Sequence, residues 1–112
     1  MRAAVEQIYR ILDELAPFES QADWDNSGLL AGRMDSPVEK VLVCLDVTVG
    51  AVEEAKRKGC QLIVSHHPIL FHGRKNLREE DPEGRMLCAL IRSGLAHIAV
   101  LTNLDGAPGG VN

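Results

Sequence analysis

The apolar positions of this chain fall into two alternating rhythms. From about residue 3 to Ala16, Val5, Ile8, Ile11, Leu12 and Leu15 recur at spacings of three and four, which lays a stripe along one face of a helix. Pro17 stops it, because proline cannot donate to the helical ladder. "KVLVCLDVT", residues 40–48, is short and rich in β-branched residues, so it predicts a buried strand. Thr48 then caps a helix over Val49 to Lys58 that Gly59 closes. "CQLIVS", residues 60–65, predicts a second buried strand. "HHPILFHGRKNLREE", residues 66–80, keeps no period and predicts an extended surface loop. Asp81 and Pro82 open a third helix as N-cap and first helical residue, Met86, Leu87, Leu90 and Ile91 form its buried face, and Gly94 ends it. "AHIAVLT", residues 96–102, predicts a third strand.

This order, helix then strand three times over, predicts an α/β domain: a mostly parallel sheet flanked by helices, with right-handed crossovers. No repeat, low-complexity tract or composition break divides it, so residues 1–112 form one unit. The closing "DGAPGGVN" is turn chemistry, and the chain is expected to stop in mid-architecture.

Composition narrows the classes of function. A hydrophobic content of 46% over 112 residues suits one globular domain, and an aromatic share of only 4% leaves the packing to Val, Ile, Leu and Ala. The formal net charge is −4 and basic residues are scattered among acids, which argues against a dedicated nucleic-acid or anionic-membrane surface. The first ten residues, "MRAAVEQIYR", carry charges where a signal peptide is apolar, and no window has the length of a membrane span. A soluble, cytoplasmic protein is expected. Cys44, Cys60 and Cys88 are odd in number and far apart, so they predict buried free thiols in a reducing compartment.

The candidate chemistry lies at the strand ends. In an open parallel sheet, side chains beyond the carboxyl ends of the strands escape the packed interior and converge. Those ends are polar here: Asp46 after the first strand, Ser65, His66 and His67 after the second, and Thr102, Asn103 and Asp105 after the third. Histidine with carboxylate suits Zn, Mn, Fe, Co or Ni. Adjacent histidines diverge and chelate one ion poorly, but they can serve two ions about 3.5–4 Å apart, with a carboxylate such as Asp105 bridging. Pro68 helps by keeping His67 extended. The residues alone leave two readings open, metal ligands or loop histidines satisfied by water and backbone. Asp46 reads first as an acceptor for the following "VTVG" turn. His97, within the third strand, reads as a satisfied imidazole, and His72 as a loop histidine near the mouth, either solvated or touching substrate. In "DWDNSGLLAG", Trp24 is expected to anchor the loop to the core, with Asp25 and Asn26 turning the chain and Gly28 taking positive φ. The alternative places Asp25 and Asn26 behind a ligand histidine. "APGG" reads as a turn, since it lacks the lysine and threonine of a phosphate loop.

"DWDNSGL", "VLVCLDVT", "LIVSHHPILF" and "TNLDGAPGGVN", in this order, resemble the N-terminal part of the GTP cyclohydrolase I type 2 homologue family, the NIF-three-like dinuclear metal-centre proteins. The resemblance runs from about Val5 to Asn112 and implies the N-terminal lobe of a two-lobed protein that assembles into a toroidal homohexamer, with two divalent metal ions per subunit. It matches His66 and His67 to the family's paired ligands and Asp105 to its bridging aspartate. It also implies a histidine and a glutamate ligand, four residues apart, in a later lobe that this sequence does not reach. Many members carry a histidine where this chain has Leu101, which puts an acid–base group in doubt. Two functions follow: metal-assisted hydrolysis of a nucleotide or related small molecule, or a non-catalytic metal-binding assembly or interaction protein.

Overall fold

The computed structural model describes residues 3–107. The expected "APGG" turn falls mostly at 108–112, outside that range. Helix α1 (Val5–Leu15) follows a two-residue strand β1 (Ala3–Ala4), a 3-10 turn covers Phe18–Ser20, and strands β2 (Gly28–Ala31), β3 (Pro37–Val38) and β4 (Val41–Cys44) come next. Then come α2 (Val49–Arg57), β5 (Leu62–Ser65), α3 (Pro82–Arg92), β6 (Ala96–Ala99) and a single turn, α4 (Thr102–Asp105). The main sheet has the order β2-β6-β5-β4. As expected, β4, β5 and β6 are parallel. The added edge strand β2 runs antiparallel to β6 with a register shift between Leu29 and Ala31, and β1 pairs separately with β3.

The layering follows from the pleat. Successive residues of a strand face opposite sides, and the buried β5 divides accordingly. Leu62 and Val64 join Val5, Phe18, Val38, Ile98 and the partly buried Ile8 and Leu12 on the α1 side. Ile63 joins Val52, Ala55, Leu90 and Leu95 on the side covered by α2 and α3. Each fully buried Leu or Ile contributes about 1.5–3 kcal/mol, so the two layers hold the sheet between them. Tyr9 stacks on Phe18 with ring centroids 4.6 Å apart, closing the α1 layer where Pro17 turns the chain.

The caps act as their residue types dictate. Thr48 Oγ1 accepts from Ala51 N at 3.0 Å, Asp81 accepts from Glu83 N with Pro82 in the first turn, and Gly59 and Gly94 close α2 and α3 at positive φ. Gly28 also takes positive φ, as the loop demanded.

Several expectations are corrected. The segment 40–48 is strand only over Val41–Cys44 and lies at the sheet edge, so it is not fully buried: Val43 is 75% exposed, because no described element covers that end of its face. Ile11, Leu15 and Ile91 keep helical spacing yet stand exposed. Trp24 does not anchor its loop, being 65% exposed. The three cysteines are free but only half-buried. The third strand ends at Ala99, and Thr102–Asp105 turns helical. Residues 66–80 contain no helix or strand but are tied down. Arg74 pairs with Asp81 and Glu83, Arg92 with Glu79, and Gly84 lies so close to the Arg78 carbonyl that a Cβ would meet it at 2.1 Å. No helix among the described residues is long and apolar enough to cross a membrane.

Candidate metal centre

The carboxyl ends of β5 and β6 bring His66 and Asp105 together. His66 follows the last residue of β5, and its Nδ1 lies 2.8 Å from Val100 O. A carbonyl oxygen carries no hydrogen, so Nδ1 must donate, and in the neutral ring the lone pair is left on Nε2. That Nε2 is 3.7 Å from Asp105 Oδ1. The gap is too long for a hydrogen bond. It suits two donors on one ion: at metal–ligand distances of about 2.1 Å and a tetrahedral angle, two ligand atoms stand about 3.4 Å apart.

His67 repeats the arrangement one residue on. Its Nδ1 lies 2.7 Å from Asp46 Oδ1, and an ionised carboxylate can only accept, so in the neutral ring Nε2 again keeps the lone pair. This is the carboxylate–histidine pairing that orients ligand imidazoles. Asp46 therefore orients His67 through its ring, where a turn acceptor had been expected. The two imidazoles are 5.1 Å apart, centroid to centroid, and tilted by 48°, with Nε2 of one toward Asp105 and Nδ1 of the other on Asp46. Among the described residues, no group of three His, Cys, Asp or Glu side chains forms a metal-ion cluster. The donor chemistry fits divalent ions; the described residues alone provide an incomplete set.

The backbone behind the histidines is fixed by a buried relay. Ser65 Oγ donates to His67 O at 2.7 Å and also contacts His97 Nε2 at 2.7 Å. Since the hydroxyl has one proton, His97 Nε2 donates to Ser65. His97 is fully buried and its Nδ1 has no partner, and burial pushes its pKa down from 6.5 to about 4. It is a core imidazole, as its place in the strand suggested, though satisfied at only one nitrogen.

The loop before β2 supplies partners that sequence patterns did not specify. Asp25 Oδ2 accepts from Thr102 N at 2.9 Å, Thr102 Oγ1 at 2.5 Å and Ser27 Oγ at 2.8 Å, while Oδ1 accepts from Asn26 N at 2.6 Å. Burial raises the Asp25 pKa, but these bonds, led by those from Thr102, outweigh it and hold the carboxyl below its ordinary value. Ser27 Oγ accepts from Leu101 N at 3.0 Å, and Asn26 Nδ2 donates to Leu70 O at 2.8 Å. Asp25 and Asn26 thus grip backbone segments, and neither contacts a histidine ring. The only signal in the sequence was the cluster of short polar side chains between Trp24 and Gly28.

His72 does not join the histidine pair. It is exposed and lines a separate open cleft of about 830 Å³, with Trp24, Phe71, Lys75 and Leu77 among its walls. That cleft includes none of His66, His67 and Asp105, so it and the candidate ligands are distinct places. Leu101 is buried. Asn103 is also buried; its Nδ2 donates to Ala16 O at 2.9 Å while its Oδ1 has no partner.

Comparison with known proteins gives a consistent result. Residues 3–112 match the family described as Duf34/NIF3 (NGG1p interacting factor 3). The chain is 35% identical over 107 residues to a GTP cyclohydrolase 1 type 2 homolog of Bacillus subtilis, covering 96% of this chain and 29% of the relative. It is 36% identical over 103 residues to the GTP cyclohydrolase 1 type 2 of Helicobacter pylori, covering 92% and 42% respectively. The fold superimposes on a crystal structure of a Staphylococcus aureus protein with a TM-score of 0.94 at 40% identity, covering 98% of this chain and 31% of that one. A Bacillus cereus protein related to NIF3 gives a TM-score of 0.93 at 32% identity, with 99% and 31% covered. The chain therefore spans less than half the length of these relatives.

Proposed function

Because the chain belongs to the Duf34/NIF3 family, we propose that His66, His67 and Asp105 hold a pair of divalent metal ions, Zn, Fe, Mn, Co or Ni, for hydrolysis of a nucleotide or related small molecule. The observation that carries this reading is the shared state of the two imidazoles. Each has its Nδ1 engaged by an acceptor, and the free Nε2 of His66 stands 3.7 Å from a carboxylate oxygen. Ordinary loop histidines turned to solvent have no need of that constraint. A bound divalent pair supplies Lewis acidity and a water acidified toward neutrality. This chain's part is to present two neutral imidazoles and a carboxylate, with Asp46 and the Val100 carbonyl stabilising the tautomers that leave Nε2 free. The remaining donors, a histidine and a glutamate by family resemblance, belong to a second lobe, and assembly into a homohexamer belongs to the same reading. The name of the Helicobacter pylori relative points to GTP as the first substrate to try.

A second reading, a non-catalytic metal-binding assembly or interaction protein, is favoured by Leu101, a buried apolar residue at the position where the resemblance expects a proton-transferring histidine. Elemental analysis after loading with Zn(II) or Mn(II), followed by GTP turnover, separates the two. Metal retention that is lost in the His66→Ala/His67→Ala double variant, together with metal-dependent product formation, supports hydrolysis. Metal retention without turnover of any nucleotide favours the second reading, and unchanged metal content in the double variant refutes the ligand assignment.

A further inference from the structure

We propose that Asp25, Asn26 and Ser27 form a clamp of positioning residues that sets the separation of His66 and Asp105. The inference rests on the reading that these two residues share a metal ion. The ligands come from separate segments beyond the sheet. His66 and His67 begin the stretch that leaves β5, and Asp105 closes the single turn α4. A turn this short has little stability of its own, so something else must fix where Asp105 stands.

The loop before β2 does so from both sides. Thr102 N and Leu101 N lie at the open start of α4, where amides lack intrahelical partners. Asp25 accepts from the first and Ser27 from the second. Asp105 N in turn donates to Leu101 O at 3.0 Å, so the residues held by Asp25 and Ser27 carry Asp105 with them. Asn26, between them, donates to Leu70 O, beyond the buried Pro68 that stiffens the path from His67. Three consecutive side chains thus join the histidine-bearing segment to the aspartate-bearing turn. Asp25 faces four donors, from Asn26 N, Ser27 Oγ, Thr102 N and Thr102 Oγ1. Such a cluster needs both oxygens of an ionised carboxylate, and an amide offers one.

The test is Zn(II) affinity of the whole chain by calorimetric titration, on variants shown by circular dichroism to be folded. Asp25→Asn and Ser27→Ala are expected to weaken binding about tenfold to a hundredfold, as loss of groups behind metal ligands does. Ser27→Thr keeps the hydroxyl and should restore the parent affinity. Gln61→Ala is the control: it removes side-chain-to-backbone bonds of the same kind, from Glu39 N at 2.7 Å and Lys40 N at 3.1 Å to Gln61 Oε1, at the amino end of β5 and so at the opposite end of that strand from His66, and should leave affinity unchanged. Parent affinity in Asp25→Asn and Ser27→Ala, or an equal loss in Gln61→Ala, overturns the clamp. If Asp25→Asn fails to fold, the Ser27 pair decides alone. His66→Ala is run alongside: unchanged affinity there means that the metal reading itself has failed, a different outcome from a working site that ignores the clamp.

Discussion

Replacing His97 with Leu should remove a defined part of this protein's sensitivity to acid. The imidazole is fully buried, donates through Nε2 to Ser65, and leaves Nδ1 without a partner. A second proton would have to settle on Nδ1 and lie in apolar packing, so burial pushes the pKa from 6.5 to about 4. The folded value is the depressed one. Between those two pH values the unfolded chain binds a proton that the native chain refuses, so the associated stability is complete above about pH 6.5 and is lost as pH falls toward 4. At about 1.4 kcal/mol per pH unit, the loss from pH 7 to pH 4 is roughly 3 kcal/mol. At pH 7 the substitution itself is mild: it forfeits one hydrogen bond, worth about 1 kcal/mol, and removes an unsatisfied buried nitrogen whose cost is about 1–3 kcal/mol. Urea unfolding of metal-free parent and His97→Leu at pH 7, 5.5 and 4 measures both effects. The two proteins should agree within about 1 kcal/mol at pH 7, and the variant should lose roughly 3 kcal/mol less by pH 4. Equal losses in both proteins would refute the argument.

Three further outcomes test the packing. Gly84→Ala places a Cβ against the Arg78 carbonyl at 2.1 Å, so it should cost about 1–3 kcal/mol by thermal unfolding and speed tryptic cleavage between Arg74 and Arg78. Leu90→Ala, at a fully buried site in the α2–α3 layer, should cost about 2–5 kcal/mol in the same assay. Its neighbour Ile91 is 56% exposed, so Ile91→Ala should stay within about 0.5 kcal/mol of the parent; a larger loss would mean that α3 presents a different face to the sheet.

The parts of the fold legible in the sequence are those with long local periods or capping chemistry: three helices, the three parallel strands, and the stops at Pro17, Gly59 and Gly94. Strands β1 and β3 are two residues each, too short for any alternation to register. In β2, the run "GLLA" shows no alternation, and it is strand because of its pairing with β6, a non-local fact. Periodicity marked Ile11, Leu15 and Ile91 as apolar face, but whether a face is covered depends on neighbours, and among the described residues these have none sufficient. In the site, polar strand ends led to the expectation that His66, His67 and Asp105 share one edge; the structure sets His66 Nε2 3.7 Å from Asp105 Oδ1 and turns His67 Nδ1 to Asp46. The helical turn that carries Asp105 escaped notice because its start is capped by Asp25 and Ser27, more than seventy residues earlier in the chain. The Ser65–His97 contact was equally hidden, since it depends on which residues two adjacent strands place side by side.

The central claim is that His66 and Asp105 are ligands of one metal ion, and anomalous diffraction from crystals soaked in Zn(II) tests it most directly. The expected result is a peak within about 2.0–2.2 Å of both His66 Nε2 and Asp105 Oδ1, absent from crystals of His66→Ala. No peak between them at saturating zinc, or one that persists when the imidazole is removed, would contradict it.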